Sequence, residues 1–143
     1  MKKEWETEPD KVEFEYKGFK CLILRHPTLL HLNGYVGLTE NHQYYGKDCS
    51  KIDIDVHGGL TFAEMGDGEN WPKGYYWIGF DTGHCTDYSP GMEKIINQGT
   101  NEIYKNIDYV TNEVKKLVDQ LDIIQKYGKK TLKSIHKISD EGF

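Results

Sequence analysis

The stretch that organises the chain is residues 54–87, which read IDVHGGLTFAEMGDGENWPKGYYWIGFDTGHCTD. It combines two strand-like apolar runs with a Gly-Gly pair, three consecutive aromatic residues and several polar side chains suited to ligand binding or proton transfer. The run 74–80 is the best strand by propensity, because aromatic and β-branched residues fit a pleated, half-buried surface. The stretch therefore predicts a sheet with polar residues at the ends of its strands.

The length and composition predict one domain with a real core. The chain has 143 residues, of which 37% are hydrophobic and 13% aromatic. Its net charge is -5, and residues 1–98 carry 10 Lys and Arg against 16 Asp and Glu. Binding to duplex nucleic acid draws on clustered Lys and Arg, so this acidic body argues against such a partner. A small ligand or a basic protein surface is the expected partner.

The three cysteines indicate a reducing compartment. Cys21, Cys49 and Cys85 show no C-x-x-C spacing and leave one thiol unpaired in any disulfide scheme. No apolar run follows the first lysines, and no apolar stretch has transmembrane length, so neither a signal peptide nor a membrane span is predicted. The sequence predicts a cytoplasmic protein without membrane association.

Apolar patterning predicts strands first and a helix last. Lys17-Gly18 predicts a tight hairpin between the first two strands, and Gly34 predicts a bulge or bend in the third. Polar residues alternate with apolar ones in residues 51–57, which is the pattern of a strand with one wet face. The six predicted strands are residues 11–16, 19–25, 32–38, 51–57, 60–65 and 74–80.

A long amphipathic helix is predicted after the strands. Its apolar residues recur at steps of four and three: Ile103, Ile107, Val110, Val114, Leu117, Leu121 and Ile124. Thr100 or Asn101 is the expected N-cap, and Gly128 the expected end. Packing of this stripe on the sheet is the favoured interpretation, and the alternative is a homo-oligomer formed through residues 101–125. The fold class is therefore α+β, a mainly antiparallel sheet with one helix on a face, in a single domain over residues 1–128. Residues 129–143 form a tail or a short helix.

Two groups of candidate site residues lie in the organising stretch. Gly58 and Gly59, between His57 and Thr61, allow positive φ or close approach of a ligand, although a simple turn needs glycines too. Asp81, His84 and Asp87 follow the strongest strand with the spacing D-x-x-H-x-x-D. With His57, these side chains form a candidate site for a divalent metal. Ligand hydrogen bonding without a metal, or turn formation by the aspartates, remains the alternative.

A third group lies earlier in the chain. His31, Asn33 and Tyr35 combine an imidazole, an amide and a phenol beside Gly34, which suits recognition of a base or sugar edge or, alternatively, a buried polar network. Arg25 is the only arginine, so it is the candidate partner for phosphate or carboxylate unless it is a simple cation at a strand end.

Three sequence blocks carry a resemblance. HLNGYVGL (31–38), DVHGGLTF (55–62) and YWIGFDTGHCTD (76–87) resemble blocks in a family of short, largely uncharacterised bacteriophage and prophage proteins, in which a helical segment follows. The resemblance covers most of residues 19–125. It implies a viral accessory protein of the bacterial cytoplasm, and small phage proteins of that kind often counter host defence, some by sequestering nucleotide signals.

Three functional hypotheses follow. The preferred one is an accessory protein that binds a small polar, nucleotide-like ligand through Arg25, His31, Asn33, Tyr35, His57, Gly58, Gly59, Thr61, Asp81 and His84. The second is a metal-assisted hydrolase in which Asp81, His84, Asp87 and His57 hold a divalent ion that activates water. The third is a protein-interaction module that acts through the long helix. The residues leave open whether the protein is an enzyme.

Overall fold

Five strands form a single antiparallel sheet in a computed structural model that describes residues 3–83, 87–94 and 103–128. The strands are β1 (Lys11–Tyr16), β2 (Phe19–Arg25), β3 (Leu32–Leu38), β4 (Phe62–Met65) and β5 (Tyr76–Asp81), in the order β1-β2-β3-β5-β4. A short helix α1 (Glu4–Thr7) precedes them, and a long helix α2 (Ile107–Tyr127) follows them. Short 3-10 segments occur at Cys49–Lys51 and Pro90–Lys94. The predicted α+β class is confirmed.

One of the six predicted strands, residues 51–57, is not a strand. Lys51 ends a 3-10 helix, and residues 52–56 belong to no helix or strand. The backbone of this segment is paired with a helix side chain: Asp55 N donates to Gln120 Oε1 (2.9 Å), and Gln120 Nε2 donates to the Asp55 carbonyl (2.8 Å). Ile52 and Val56 are buried while Asp53 and Asp55 are exposed. The alternation therefore reflects a segment with one buried side, which packs on a helix instead of pairing with a neighbouring strand.

The glycines at the two predicted bends behave differently. Lys17 and Gly18 both have positive φ (51° and 83°), as the tight hairpin between β1 and β2 requires. Gly34 causes no bulge, since β3 pairs without interruption with β2 and with β5. A Cβ atom there would lie 2.6 Å from Phe80 Cζ and 2.7 Å from Val114 Cγ2. The glycine is thus required where the sheet and α2 pack closely.

Helix α2 begins later than predicted. Asn106 is the N-cap, and its side chain accepts a hydrogen bond from Tyr109 N (2.9 Å). Ile103 lies outside the helix, forms a bridge with Asp87 and is 63% exposed. The two predicted caps, Thr100 and Asn101, lie outside the described residues. Gly128, with φ 89°, ends the helix as predicted.

The apolar stripe of α2 is buried against the sheet. The helix residues with 0% exposure are Val110, Val114, Leu117, Val118, Leu121 and Ile124. They form one core with apolar residues of β2, β3 and β5. The favoured packing on the sheet is confirmed, and the stripe is used within the chain, so it gives no support to an oligomer through residues 101–125. No helix in the described part of the chain is long and apolar enough to cross a membrane.

The face of the sheet opposite α2, called here the second face, carries aromatic residues. Leu22, Tyr35 and Trp77 form a second apolar cluster there, joined by Leu24, Phe62, Trp71 and Tyr75. Trp71 and Tyr75 belong to the loop 66–75, which connects β4 to β5 and covers part of this face. Strand β3 and strand β5 also place polar residues on the second face, at the end where β5 finishes. The predicted tail, residues 129–143, lies outside the described residues.

Candidate functional site

Residues 57–61 of the organising stretch lie near residues 81–83 and Asp87 at the ends of β4 and β5. Thr61 N donates to the Gly79 carbonyl (2.9 Å), so the pairing of the two strands continues beyond β4. Two side-chain contacts join the segments: Thr61 Oγ1 donates to Asp81 Oδ2 (3.3 Å), and His57 Nε2 lies 2.7 Å from Asp87 Oδ2. His84 lies outside the described residues. The structure therefore brings these predicted residues together in two groups, one at Asp81 and one at Asp87.

The first group is a polar patch on the second face, called here the Asn33–Asp81 patch. Asn33 and Asp81 are paired positions on β3 and β5. His31 and Tyr35 flank Asn33 at steps of two, so they point to the same side. A Cβ at Gly83 would lie 2.6 Å from His31 Cε1, and one at Gly79 would lie 2.4 Å from Tyr35 Cδ1. The two rings therefore lie against the glycines on either side of Asp81.

Hydrogen-bond acceptors dominate the Asn33–Asp81 patch. Asn33 Oδ1 is buried and has no hydrogen-bond partner among the described residues. Asp81 accepts from Gly83 N (2.9 Å) through Oδ1 and from Thr61 through Oδ2. Burial raises the pKa of Tyr35, a hydrogen bond with Asn33 opposes that rise, and the charge of Asp81 adds to it. The phenol therefore stays protonated at neutral pH.

Trp71 provides the aromatic neighbour of this patch. Its ring stacks on Phe62, with centroids 4.9 Å apart, and meets Tyr35 edge-on at 5.6 Å. Its indole Nε1 is buried without a hydrogen-bond partner in the described part of the chain. Tyr35 therefore lies beside two buried polar atoms that lack hydrogen-bond partners in the described part of the chain: the acceptor Asn33 Oδ1 and the donor Trp71 Nε1. Trp71 is not among the predicted site residues, because nothing in the loop sequence shows that it folds back over Tyr35.

The second group lies beside the N-terminal end of α2. His57 Nε2 lies 2.7 Å from Asp87 Oδ2, and His57 Nδ1 lies 2.7 Å from the Tyr109 hydroxyl. Lys105 Nζ is 3.3 Å from Asp87 Oδ1. The Asp87 side chain is completely buried, and the His57 side chain is 14% exposed. Burial raises the pKa of Tyr109, and the charges of Glu113 and Asp87 raise it further.

The sequence carried no signal for Tyr109 or Lys105. Tyr109 is a half-buried residue in the first turn of α2, and Lys105 precedes the helix. Their role in the group depends on a fold that brings residues 57, 87 and 105–109 together. The fold also brings Ser89 to the buried His31: Ser89 Oγ lies 3.1 Å from His31 Nδ1.

The predicted metal ligands are divided between the two groups. Asp81 belongs to the Asn33–Asp81 patch, whereas His57 and Asp87 bind each other beside α2. Both ring nitrogens of His57 face protein partners. The described ranges contain no group of three His, Cys, Asp or Glu side chains that could hold a metal ion. These residues therefore give the metal-assisted hydrolase no assembled ligand set, and the predicted contribution of His84 lies outside them.

Arg25 is engaged by partners within the chain. Its side chain is 5% exposed. Nε donates to Asp10 Oδ1 (2.8 Å), and Nη1 donates to the Leu30 carbonyl (2.9 Å) and to the Tyr104 hydroxyl (3.0 Å). Nη2 donates to the Pro9 carbonyl (3.3 Å). The guanidinium thus fastens the N-terminal segment and Tyr104 to the end of β2, and no contact joins it to Asn33 or Asp81.

The glycine pair is explained by a turn. Gly58 and Gly59 have φ of 67° and 81°, and Gly59 N donates to the Val56 carbonyl (2.9 Å). Such φ values favour glycine whatever its surroundings. A Cβ at Gly59 would meet nothing within 4 Å, so there is open space beside this turn.

Comparison of the chain with protein-family models, with curated proteins and with solved structures found no match.

Proposed function

We propose that the protein binds a small polar, nucleobase-like ligand at the Asn33–Asp81 patch. The observation that carries this proposal is the buried Asn33 Oδ1, which lacks a partner in the described part of the chain, beside the carboxylate of Asp81. A buried polar atom without a hydrogen bond costs about 1–3 kcal/mol. A ligand that presents an N–H group to Asn33 Oδ1 recovers that cost, and purine and pyrimidine edges carry such groups.

The aromatic residues support a planar ligand. Tyr35, Phe62 and Trp71 pack together next to the patch. Stacking of a base on an aromatic side chain contributes about 1–3 kcal/mol. The indole Nε1 of Trp71 is a donor without a partner among the described residues, and it complements an acceptor on the ligand ring. Binding then requires a small movement of the loop 66–75, since Trp71 covers Tyr35.

The surroundings of Arg25 refine the nucleotide-like hypothesis. Its guanidinium is held by Asp10, Leu30, Tyr104 and Pro9, so it supports no contact with a ligand phosphate. We therefore expect recognition of the base and sugar more than of the phosphate. Sequestration of such a compound in a bacterial cytoplasm, as the phage-like sequence blocks suggest, is the biological role we propose.

Isothermal titration calorimetry against nucleobases, nucleosides and linear and cyclic nucleotides tests the proposal. We expect at least one compound to bind, and nucleosides to bind about as tightly as their phosphates. Asp81→Asn should weaken binding about 10–100-fold, because a hydrogen bond to a charged group contributes about 1.5–3 kcal/mol. Glu64→Gln is the matched control, since Glu64 is an exposed carboxylate on β4 opposite Trp77, away from the patch. Silence across the whole panel would overturn the proposal.

A further inference from the structure

The group beside α2 has the arrangement of an activated hydroxyl nucleophile. The Tyr109 hydroxyl lies 2.7 Å from His57 Nδ1, and His57 Nε2 lies 2.7 Å from the buried carboxylate of Asp87. A carboxylate only accepts hydrogen bonds, so the neutral imidazole carries its proton on Nε2 and presents Nδ1 as a base to the phenol. Nucleophile, base and orienting acid follow one another within hydrogen-bond distance, as nucleophilic catalysis requires.

The base is fixed by its backbone as well as by its ring. His57 N donates to Glu113 Oε1 (2.9 Å), which ties residue 57 to the same helix that carries Tyr109. Lys105 Nζ lies 5.5 Å from the centre of the Tyr109 ring and 3.3 Å from Asp87 Oδ1. Burial and the charges of Glu113 and Asp87 raise the pKa of Tyr109, so the phenol is protonated before reaction and needs His57 to take up its proton. Tyr109 is half-buried, so part of the side chain reaches the surface.

We propose that Tyr109 is a reactive nucleophile toward electrophilic phosphorus, with His57 as its general base and Asp87 as the group that positions the base. In the reaction the Tyr109 oxygen attacks phosphorus and its proton passes to His57 Nδ1. A P–O(Tyr) bond forms while the bond from phosphorus to the leaving group breaks, and the leaving group departs with the electron pair. The His57 imidazolium is then held between Asp87 and the modified tyrosine. This activity is independent of ligand binding at the Asn33–Asp81 patch.

A fluorophosphonate is the probe that tests the proposal, because its leaving group is fluoride and the adduct can be mapped by peptide mass spectrometry. We expect one main adduct, on Tyr109, formed faster than any adduct on Tyr127, which is 68% exposed. Exposure alone would favour Tyr127, so this order of reactivity reports activation. Labelling of Tyr109 no faster than that of Tyr127 would overturn the proposal.

Variants separate general-base catalysis from a purely structural contact. His57→Gln should slow labelling of Tyr109 about 100-fold or more, since a positioned general base contributes about 10²–10⁴-fold. Asp87→Asn should also slow it, because the amide no longer fixes the tautomer of His57. His26→Gln is the control: the His26 ring is likewise held by hydrogen bonds, which it accepts from Thr28 N and Leu29 N, but it lies outside this group. The rate is read only in variants whose thermal unfolding shows a folded chain, and an unchanged rate in folded His57→Gln would contradict the proposal.

Discussion

Replacement of Arg25 by lysine separates a structural role from ligand binding. The substitution keeps the positive charge and removes the planar fork of donors. In the native chain the fork serves Asp10, Leu30, Tyr104 and Pro9, and the Arg25 side chain is 5% exposed. The single ammonium nitrogen of lysine cannot replace three guanidinium nitrogens, which also form an ion pair with Glu8 (3.7 Å). Arg25→Lys should therefore leave the part-buried Leu30 carbonyl and Tyr104 hydroxyl with fewer hydrogen bonds.

The expected loss of stability follows from those contacts. The partner Asp10 is 84% exposed, so that ion pair contributes little. The Leu30 carbonyl and the Tyr104 hydroxyl are bonded in a part-buried region, and each bond to a charged donor contributes about 1.5–3 kcal/mol. Since lysine keeps some of these bonds, we expect Arg25→Lys to lower the free energy of unfolding by about 2–4 kcal/mol.

Urea denaturation followed by circular dichroism measures this change, and calorimetry with any ligand found in the nucleotide panel measures binding by the same variant. Lys20→Met is the control, because Lys20 is an exposed cation on the same strand, and it should change the free energy of unfolding by less than about 0.5 kcal/mol. We expect Arg25→Lys to weaken the fold and to leave the affinity of the folded protein unchanged. A variant of native stability that has lost affinity for phosphate-bearing ligands would refute this account of Arg25.

Three further predictions concern the core. His42 is buried and its Nδ1 accepts from Tyr44 N; burial lowers its pKa below 6.5, although the bond to the Leu121 carbonyl opposes this shift. The unfolded chain therefore takes up the proton first, so the free energy of unfolding should fall as the pH drops below 6.5. Urea titrations at several pH values should show a smaller fall for His42→Gln. Leu117→Ala should cost about 2–5 kcal/mol by the same assay, because Leu117 is fully buried under the sheet; a loss below 1 kcal/mol would contradict the packing of α2. Gly34→Ala should cost about 1–3 kcal/mol through its clash with Phe80 and Val114, and a neutral effect would show that the sheet and helix are less closely packed than described.

Periodicity predicted most of the fold, because it reports which side of a segment is buried. The stripe of α2 and the alternation in β1 each require a buried face, and both elements form close to where they were expected. The same information cannot say what covers that face. Residues 51–57 have the alternation of a strand, yet their backbone bonds go to Gln120 and Glu113 on the helix. The alternating pattern of such a segment is the same whether a neighbouring strand or a helix supplies its backbone hydrogen bonds.

The candidate sites were predictable only in part, for a related reason. Thr61 and Asp81 lie at neighbouring strand ends, His57 precedes Thr61 and Asp87 follows Asp81, so the two outer segments of one hairpin bring these pairs together. The apolar stripe predicted that α2 packs on the sheet, but it could not show which residue of the helix would meet His57, and that residue is Tyr109. Arg25 illustrates the opposite case. Its chemistry suits an anionic ligand, but acceptors from residues 9–30 and residue 104 use its donors within the chain.

The proposed role of the second face requires that Trp71 Nε1 and Asn33 Oδ1, which lack hydrogen-bond partners among the described residues, form hydrogen bonds with a ligand. The indole N–H resonance of Trp71 in a ¹H–¹⁵N spectrum tests this most directly, and Trp71→Phe assigns it among the signals of the three tryptophans. On addition of the tightest-binding compound of the nucleotide panel, we expect a downfield shift of the Trp71 signal that is larger than any shift of Trp77, whose Nε1 already donates to the Pro72 carbonyl (2.9 Å). An unmoved Trp71 signal at saturating ligand would contradict the account.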